Sequence, residues 1–194
     1  RWHYQTTPRD RWDYTATQQI MLADLPLGEG GASRRVVMQA PKNGFFYVLD
    51  AADGELISAT PFTNQNWTTG EFDENGRPVL VEEAVDLALY AVVPGPTGAH
   101  NWHPMAFNPD TGLVYIPVNE IPFFYDKTRN VEDGKSYWNI GYDAAAGWPV
   151  EYPAGTLDAV ADLDGGSLLA WDPVKAEPRW AVPFALPLNG GVLS

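Results

Sequence analysis

The sequence predicts an all-β fold of the propeller type, present only in part. Three observations carry this. Strand–turn–strand units recur along the chain, helical periodicity is scarce, and aromatic and turn-forming residues are abundant (8 Trp, 9 Tyr, 8 Phe, 18 Gly, 17 Pro). That composition favours short strands joined by tight turns around an aromatic core.

The first unit is the apolar run Phe45–Asp50, the turn Ala51-Ala52-Asp53-Gly54 and a second strand Glu55–Ala59. The second is Met105-Ala106-Phe107, the turn Asn108-Pro109-Asp110-Thr111-Gly112 and the strand Leu113–Pro117. The third is Ser167–Pro173, a connection through Val174–Pro178 and the strand Arg179–Val182. Asp-Gly and Pro-Asp-x-Gly supply the positive φ that hairpin turns require. Glu82–Tyr90 is the best short helix candidate. The units are spaced by roughly sixty residues, longer than a minimal blade, so insertions are expected and about three blades fit the length. Asn119–Asp162 lacks periodicity and reads as a long rim loop, with aromatic runs at Phe123-Phe124-Tyr125 and Tyr137-Trp138-Asn139. Long loops in compact domains are often functional. The chain starts at Arg1 without Met and stops at Gly190-Gly191-Val192-Leu193-Ser194, within what reads as a strand, so residues 1–194 are expected to be an internal piece of a larger domain.

A formal net charge of -13 argues against nucleic acid and against docking on an anionic membrane surface. No run of about 18 apolar residues is present, so no membrane insertion by a helix of this segment is expected. With no cysteine, the segment can hold no disulfide, zinc–thiolate site or c-type haem attachment.

Five places hold residues suited to chemistry. Asp13 stands between Trp12 and Tyr14, where apolar neighbours could tune a general base; a turn-capping carboxylate is the plain alternative. Lys42, in Pro41-Lys42-Asn43-Gly44, is either a solvated turn residue or a cation at a pocket wall. In Gly98–Met105, His100 and His103 have a metal-like spacing but no third ligand nearby, so Asn101 and Trp102 are the better candidates, offering an amide and a flat ring to a planar ligand. Packing explains them equally well. Asp162-Leu163-Asp164-Gly165-Gly166 resembles a loose calcium loop without the full ligand series and reads as a turn. Leu188-Asn189-Gly190-Gly191 is either a β-turn or a close backbone approach to a ligand.

As an ordered set, these segments resemble the PQQ-dependent (pyrroloquinoline quinone) methanol and ethanol dehydrogenases. The resemblance runs through Trp12-Asp13-Tyr14, then Lys42-Asn43-Gly44-Phe45-Phe46-Tyr47-Val48-Leu49-Asp50 and Gly54-Glu55-Leu56-Ile57-Ser58-Ala59. It continues through Asn66-Trp67, Gly76-Arg77-Pro78, Gly98–Met105, Leu169–Pro173 and Asn189-Gly190-Gly191. Leu188 stands where that family often has Trp.

The resemblance implies part of an eight-bladed propeller with PQQ and Ca2+ at its centre. It assigns Asp13 as catalytic base beside the metal and as a metal ligand. Lys42, Asn101, Trp102 and Asn189 become cofactor contacts, and Trp67 with the aromatic loop is expected to shape an alcohol pocket. Lanthanide-using relatives carry a second Asp two residues after the base; Thr15 stands there, which favours calcium. A primary alcohol would be oxidised to an aldehyde, with a cytochrome c or haem domain as electron acceptor, in the periplasm. Further calcium and PQQ ligands are expected upstream of Arg1. A non-catalytic propeller scaffold and a sugar-oxidising quinoprotein are the competing readings.

Overall fold

The computed structural model describes residues 1–86, 91–125, 165–187 and 190–194. The first sheet is built from β1 (Met21–Leu25), β2 (Arg34–Gln39), β3 (Phe45–Asp50) and β4 (Leu56–Pro61), each antiparallel to the next in chain order. A ribbon follows, β5 (Thr68–Phe72) with β6 (Pro78–Leu80), and then a single-turn helix α1 (Glu82–Val85). After β7 (Ala91–Val92) come β8 (Ala106–Asn108), β9 (Leu113–Asn119), β10 (Phe123–Phe124), β11 (Gly166–Asp172) and β12 (Glu177–Phe184). β10 pairs with β7, and the second four-stranded sheet runs β12-β11-β9-β8.

Both four-stranded sheets are up-and-down meanders, the blade form of a propeller. The three hairpins are shared between two sheets, because β9 pairs with β11 and joins the second and third units. The described residues thus hold two four-stranded blades and two ribbons. The helix expected over Glu82–Tyr90 ends at Val85; residues 87–90, most of the expected rim loop, Asp162–Asp164 and Asn189 lie outside the described residues.

β3 begins and ends where the hydrophobic run does, and it is buried along nearly its whole length. Its side chains alternate between two cores, as the two-residue period of a strand requires. Phe46 and Val48 join Val36, Met38, Val114, Ile116, Leu169 and Trp171 in the core between the two blades. Phe45 and Tyr47 join Trp12, Tyr14, Trp67, Val85 and Val92 on the opposite face. β12 differs from the other long strands. It forms the edge of its sheet and is exposed throughout, including Trp180, Val182 and Phe184.

Candidate active site

Lys42 lies on the turn between β2 and β3, which closes with a hydrogen bond from Gly44 N to Pro41 O. Gly44 has φ 91°, a conformation that costs a side-chain-bearing residue about 1–2 kcal/mol. Asn43 fixes the turn from inside. It is fully buried, its Oδ1 accepts from Phe45 N, and its Nδ2 donates to Thr6 O, Thr7 Oγ1 and Tyr47 Oη. Burial pushes the Tyr47 hydroxyl well above its ordinary pKa, so it stays protonated and donates to Thr6 O.

The turn therefore grips the N-terminal segment that carries Asp13. Trp12 and Tyr14, on either side of Asp13, are both buried, with ring centroids 5.4 Å apart. Desolvation holds the Tyr14 hydroxyl well above its usual pKa, and it donates to Pro94 O. With its neighbours anchored, Asp13 is turned outward at φ 63°, a left-handed conformation rare for a residue other than glycine. Such strain persists only where the surroundings impose it, and it clusters at functional sites.

The geometry brings Asp13 and Lys42 together. Lys42 Nζ donates to Asp13 Oδ2 at 3.0 Å and to Asp13 O at 2.9 Å. The lysine side chain is only 8% exposed, whereas the aspartate side chain is 58% exposed. A buried cation is thus delivered from within to a carboxylate that faces outward. A buried Lys needs such a partner, since isolated burial of its charge is costly.

The Gly98–Met105 segment packs against the same lysine. Ala99 N donates to Lys42 O at 2.9 Å, and a side chain at Gly98 would collide with Lys42. His100 is fully buried, with Nδ1 2.6 Å from Ala40 O and Nε2 2.7 Å from His103 O. Desolvation lowers the His100 pKa, prevailing over two carbonyls that favour the charged ring. Both ring nitrogens face main-chain carbonyls, which leaves this histidine to structure and away from metal binding. Asn101 Nδ2 donates to Thr97 O, and Asn101 Oδ1 accepts from Trp102 N. Trp102 stacks on His103 at 4.1 Å and is 68% exposed, presenting a free ring face. Among the described residues no hydrogen bond joins Asn101 or Trp102 to the Asp13–Lys42 pair.

One placement differs from expectation. Trp67, expected at a pocket wall, is fully buried, and its Nε1 donates to Asn43 O at 2.9 Å. It belongs to the packing beneath the pair because its neighbours Trp12, Tyr14 and Phe45 enclose it. Asn43 and Asn66, which the sequence reading treated only as motif positions, are the main fasteners. Asn66 bonds Ala91 O through Nδ2 and accepts from Val93 N at Oδ1. An Asn beside glycine or an aromatic is a weak signal for such a role, since the same pattern marks ordinary turns.

Residues 1–72 match the model of the PQQ family, "Glucose/ethanol/alcohol dehydrogenase, beta-propeller domain". Over its whole length the chain is 47% identical to quinohemoprotein alcohol dehydrogenase ADH-IIG of Pseudomonas putida. The chain is similar over its whole length to quinoprotein alcohol dehydrogenases. It spans about a quarter of the length of the curated relatives it matches, 27% for the Pseudomonas protein. The crystal structure of quinohemoprotein alcohol dehydrogenase from Comamonas testosteroni matches all of the chain with TM-score 0.79 and 43% identity, over 28% of its own length. A europium-containing methanol dehydrogenase matches 95% of the chain with TM-score 0.68 and 26% identity, over 31% of its length. The two four-stranded sheets are therefore part of a β-propeller, the fold named by the matched family model.

Proposed function

We propose that residues 1–194 form the base-bearing part of a PQQ-dependent alcohol dehydrogenase domain, acting on primary alcohols. The observation that carries this reading is the outward-facing, left-handed Asp13 held by buried Lys42 at 3.0 Å. Asp13 accepts the hydroxyl proton of the alcohol. Lys42 keeps the carboxylate oriented and adds a fixed positive charge where negative charge develops, out of reach of solvent reorganisation. The exposed face of Trp102 and the nearby amide of Asn101 suit a planar ligand. Asn189, outside the described residues, is proposed as a further cofactor contact.

The residues present fit one edge of a metal and quinone site. Asp13 Oδ2 is taken by Lys42, and its Oδ1 makes no hydrogen bond among the described residues, so a hard oxygen donor is available to a hard cation. No cluster of three or more His, Cys, Asp or Glu suited to a metal exists among the described residues, so other ligands must come from elsewhere in the protein. When bound, PQQ supplies the quinone that accepts the hydride, with calcium as its Lewis acid. Thr15, without a carboxylate, supports a divalent ion over a trivalent one.

Electrons would pass to a haem or cytochrome c partner. The relatives include quinohemoproteins and a "1-butanol dehydrogenase (cytochrome c)" of Thauera butanivorans, which support that choice. A periplasmic location belongs to the same proposal. The test is the full-length protein loaded with PQQ and calcium, assayed by dye-linked oxidation of primary alcohols and of aldoses. Activity on primary alcohols, lost by a factor of roughly a thousand in Asp13→Asn, is expected. Inactivity on alcohols, or full activity in Asp13→Asn, would sink the reading; oxidation of aldoses alone would move it to the sugar-oxidising class.

A further inference from the structure

We infer that Trp67 is a positioning residue that keeps Lys42 and Asp13 in register, acting through the neighbours of both. The inference rests on the function proposed above.

Asp13 and Lys42 come from separate segments: Asp13 precedes β1, and Lys42 follows β2. Their mutual bonds join a side chain of one segment to the other segment, and do not by themselves fix where the two main chains lie. Something must locate the two main chains, and Trp67 contacts both. Its Nε1 donates to Asn43 O at 2.9 Å, the carbonyl one residue beyond Lys42. Its ring meets Trp12 at 5.5 Å and Tyr14 edge-on at 5.4 Å, the two residues that flank Asp13. Trp67 is completely buried, so its ring has one position to occupy.

Trp67 is itself anchored. Val81 N donates to Trp67 O at 3.0 Å, and the preceding Asn66 is fastened to Ala91 and Val93 by both its amide and its main chain. The Tyr14 hydroxyl bonds Pro94 O in that same stretch. The path from the ribbon to the dyad is therefore continuous and built of packed rings and buried hydrogen bonds. An indole suits it because one face packs aromatics while one edge donates a hydrogen bond.

The test uses the full-length enzyme loaded with PQQ and calcium. Trp67→Phe removes the Nε1–H donor while keeping an aromatic ring. Incorporation of a benzothienylalanine at position 67 removes only the donor and preserves shape, which covers a folding failure of the first variant. Both should lower kcat per PQQ-loaded molecule by about tenfold or more, with KM for the alcohol and PQQ content near wild type. In a Lys42→Ala background the same change should cost clearly less than in wild type, because only the placement of Asp13 is then left for Trp67 to serve. A lower melting temperature with unchanged kcat, or an equal loss in both backgrounds, would reduce Trp67 to packing and overturn the inference. Asp13→Asn runs alongside: if it stays fully active, the proposed function has failed first, whereas an inactive Asp13→Asn beside a fully active Trp67 pair sinks this inference alone.

Discussion

Lys42 grips Asp13 at two points, 3.0 Å to the carboxylate and 2.9 Å to the main-chain carbonyl, so one ammonium senses both the base and the strained peptide that presents it. Lys42→Met keeps most of the buried stem and removes the charge. In the full-length holoenzyme it should lower kcat/KM for alcohol by roughly a hundredfold to a thousandfold. Lys42→Arg keeps the charge and brings separate donors for the two oxygens, so it should recover part of the loss. Steady-state kinetics of the two variants decide this, and wild-type rates in Lys42→Met would exclude a role for the charge.

Gly98 presses its backbone on the Lys42 side chain at φ +81°. Gly98→Ala faces two penalties, a left-handed alanine and a methyl group overlapping the lysine. The first alone costs about 1–2 kcal/mol. The full-length variant should melt several degrees lower and lose activity as Lys42 is displaced. Melting by circular dichroism with parallel assays would show it, and an unaltered variant would mean that the segment yields freely.

His100 sets a pH dependence. Desolvation lowers its folded pKa below the ordinary imidazole value. The unfolded chain therefore takes up the proton first as pH falls, and folding loses stability with acidification through about pH 6.5. Stability from this group is complete above that value. His100→Gln, which cannot titrate, should flatten the melting temperature between about pH 7 and pH 5 relative to wild type. A steeper slope in the variant would reverse the assignment.

Asn43 and Glu82 offer a contrast between buried and exposed polar bonds. Asn43→Ala leaves Thr6 O, Thr7 Oγ1 and the Phe45 amide without their shared partner and should cost about 2–4 kcal/mol. Glu82→Ala removes the Arg9–Glu82 pair, whose side chains are 58% and 67% exposed, and should change stability by less than about 0.5 kcal/mol. Denaturant melts of the full-length variants rank the two.

Much of this architecture was readable from local signals. The run Phe45–Asp50 marks β3 residue for residue, because a strand buried on both faces leaves an unbroken hydrophobic stretch. The Asp-Gly turns mark the hairpins. The nearness of Asp13 and Lys42 was legible only through the ordered resemblance, since nothing in 29 residues of separation encodes a 3.0 Å contact. The pairing of β9 with β11 was not legible: it spans a long insertion, and non-local registers leave little trace in local periodicity. Trp67 was misplaced for a related reason. An indole looks alike in sequence whether it lines a pocket or underlies one, and only its enclosure by Trp12, Tyr14 and Phe45 distinguishes the two.

β12 has a practical consequence for anyone handling this polypeptide by itself. Trp180, Val182 and Phe184 share one side of an exposed edge strand, a pattern that recruits other copies by strand addition. The net charge of -13 opposes that at low ionic strength, and added salt screens the repulsion beyond a Debye length of about 10 Å at 0.1 M. Isolated material should therefore stay dispersed in dilute buffer and cloud as salt is raised.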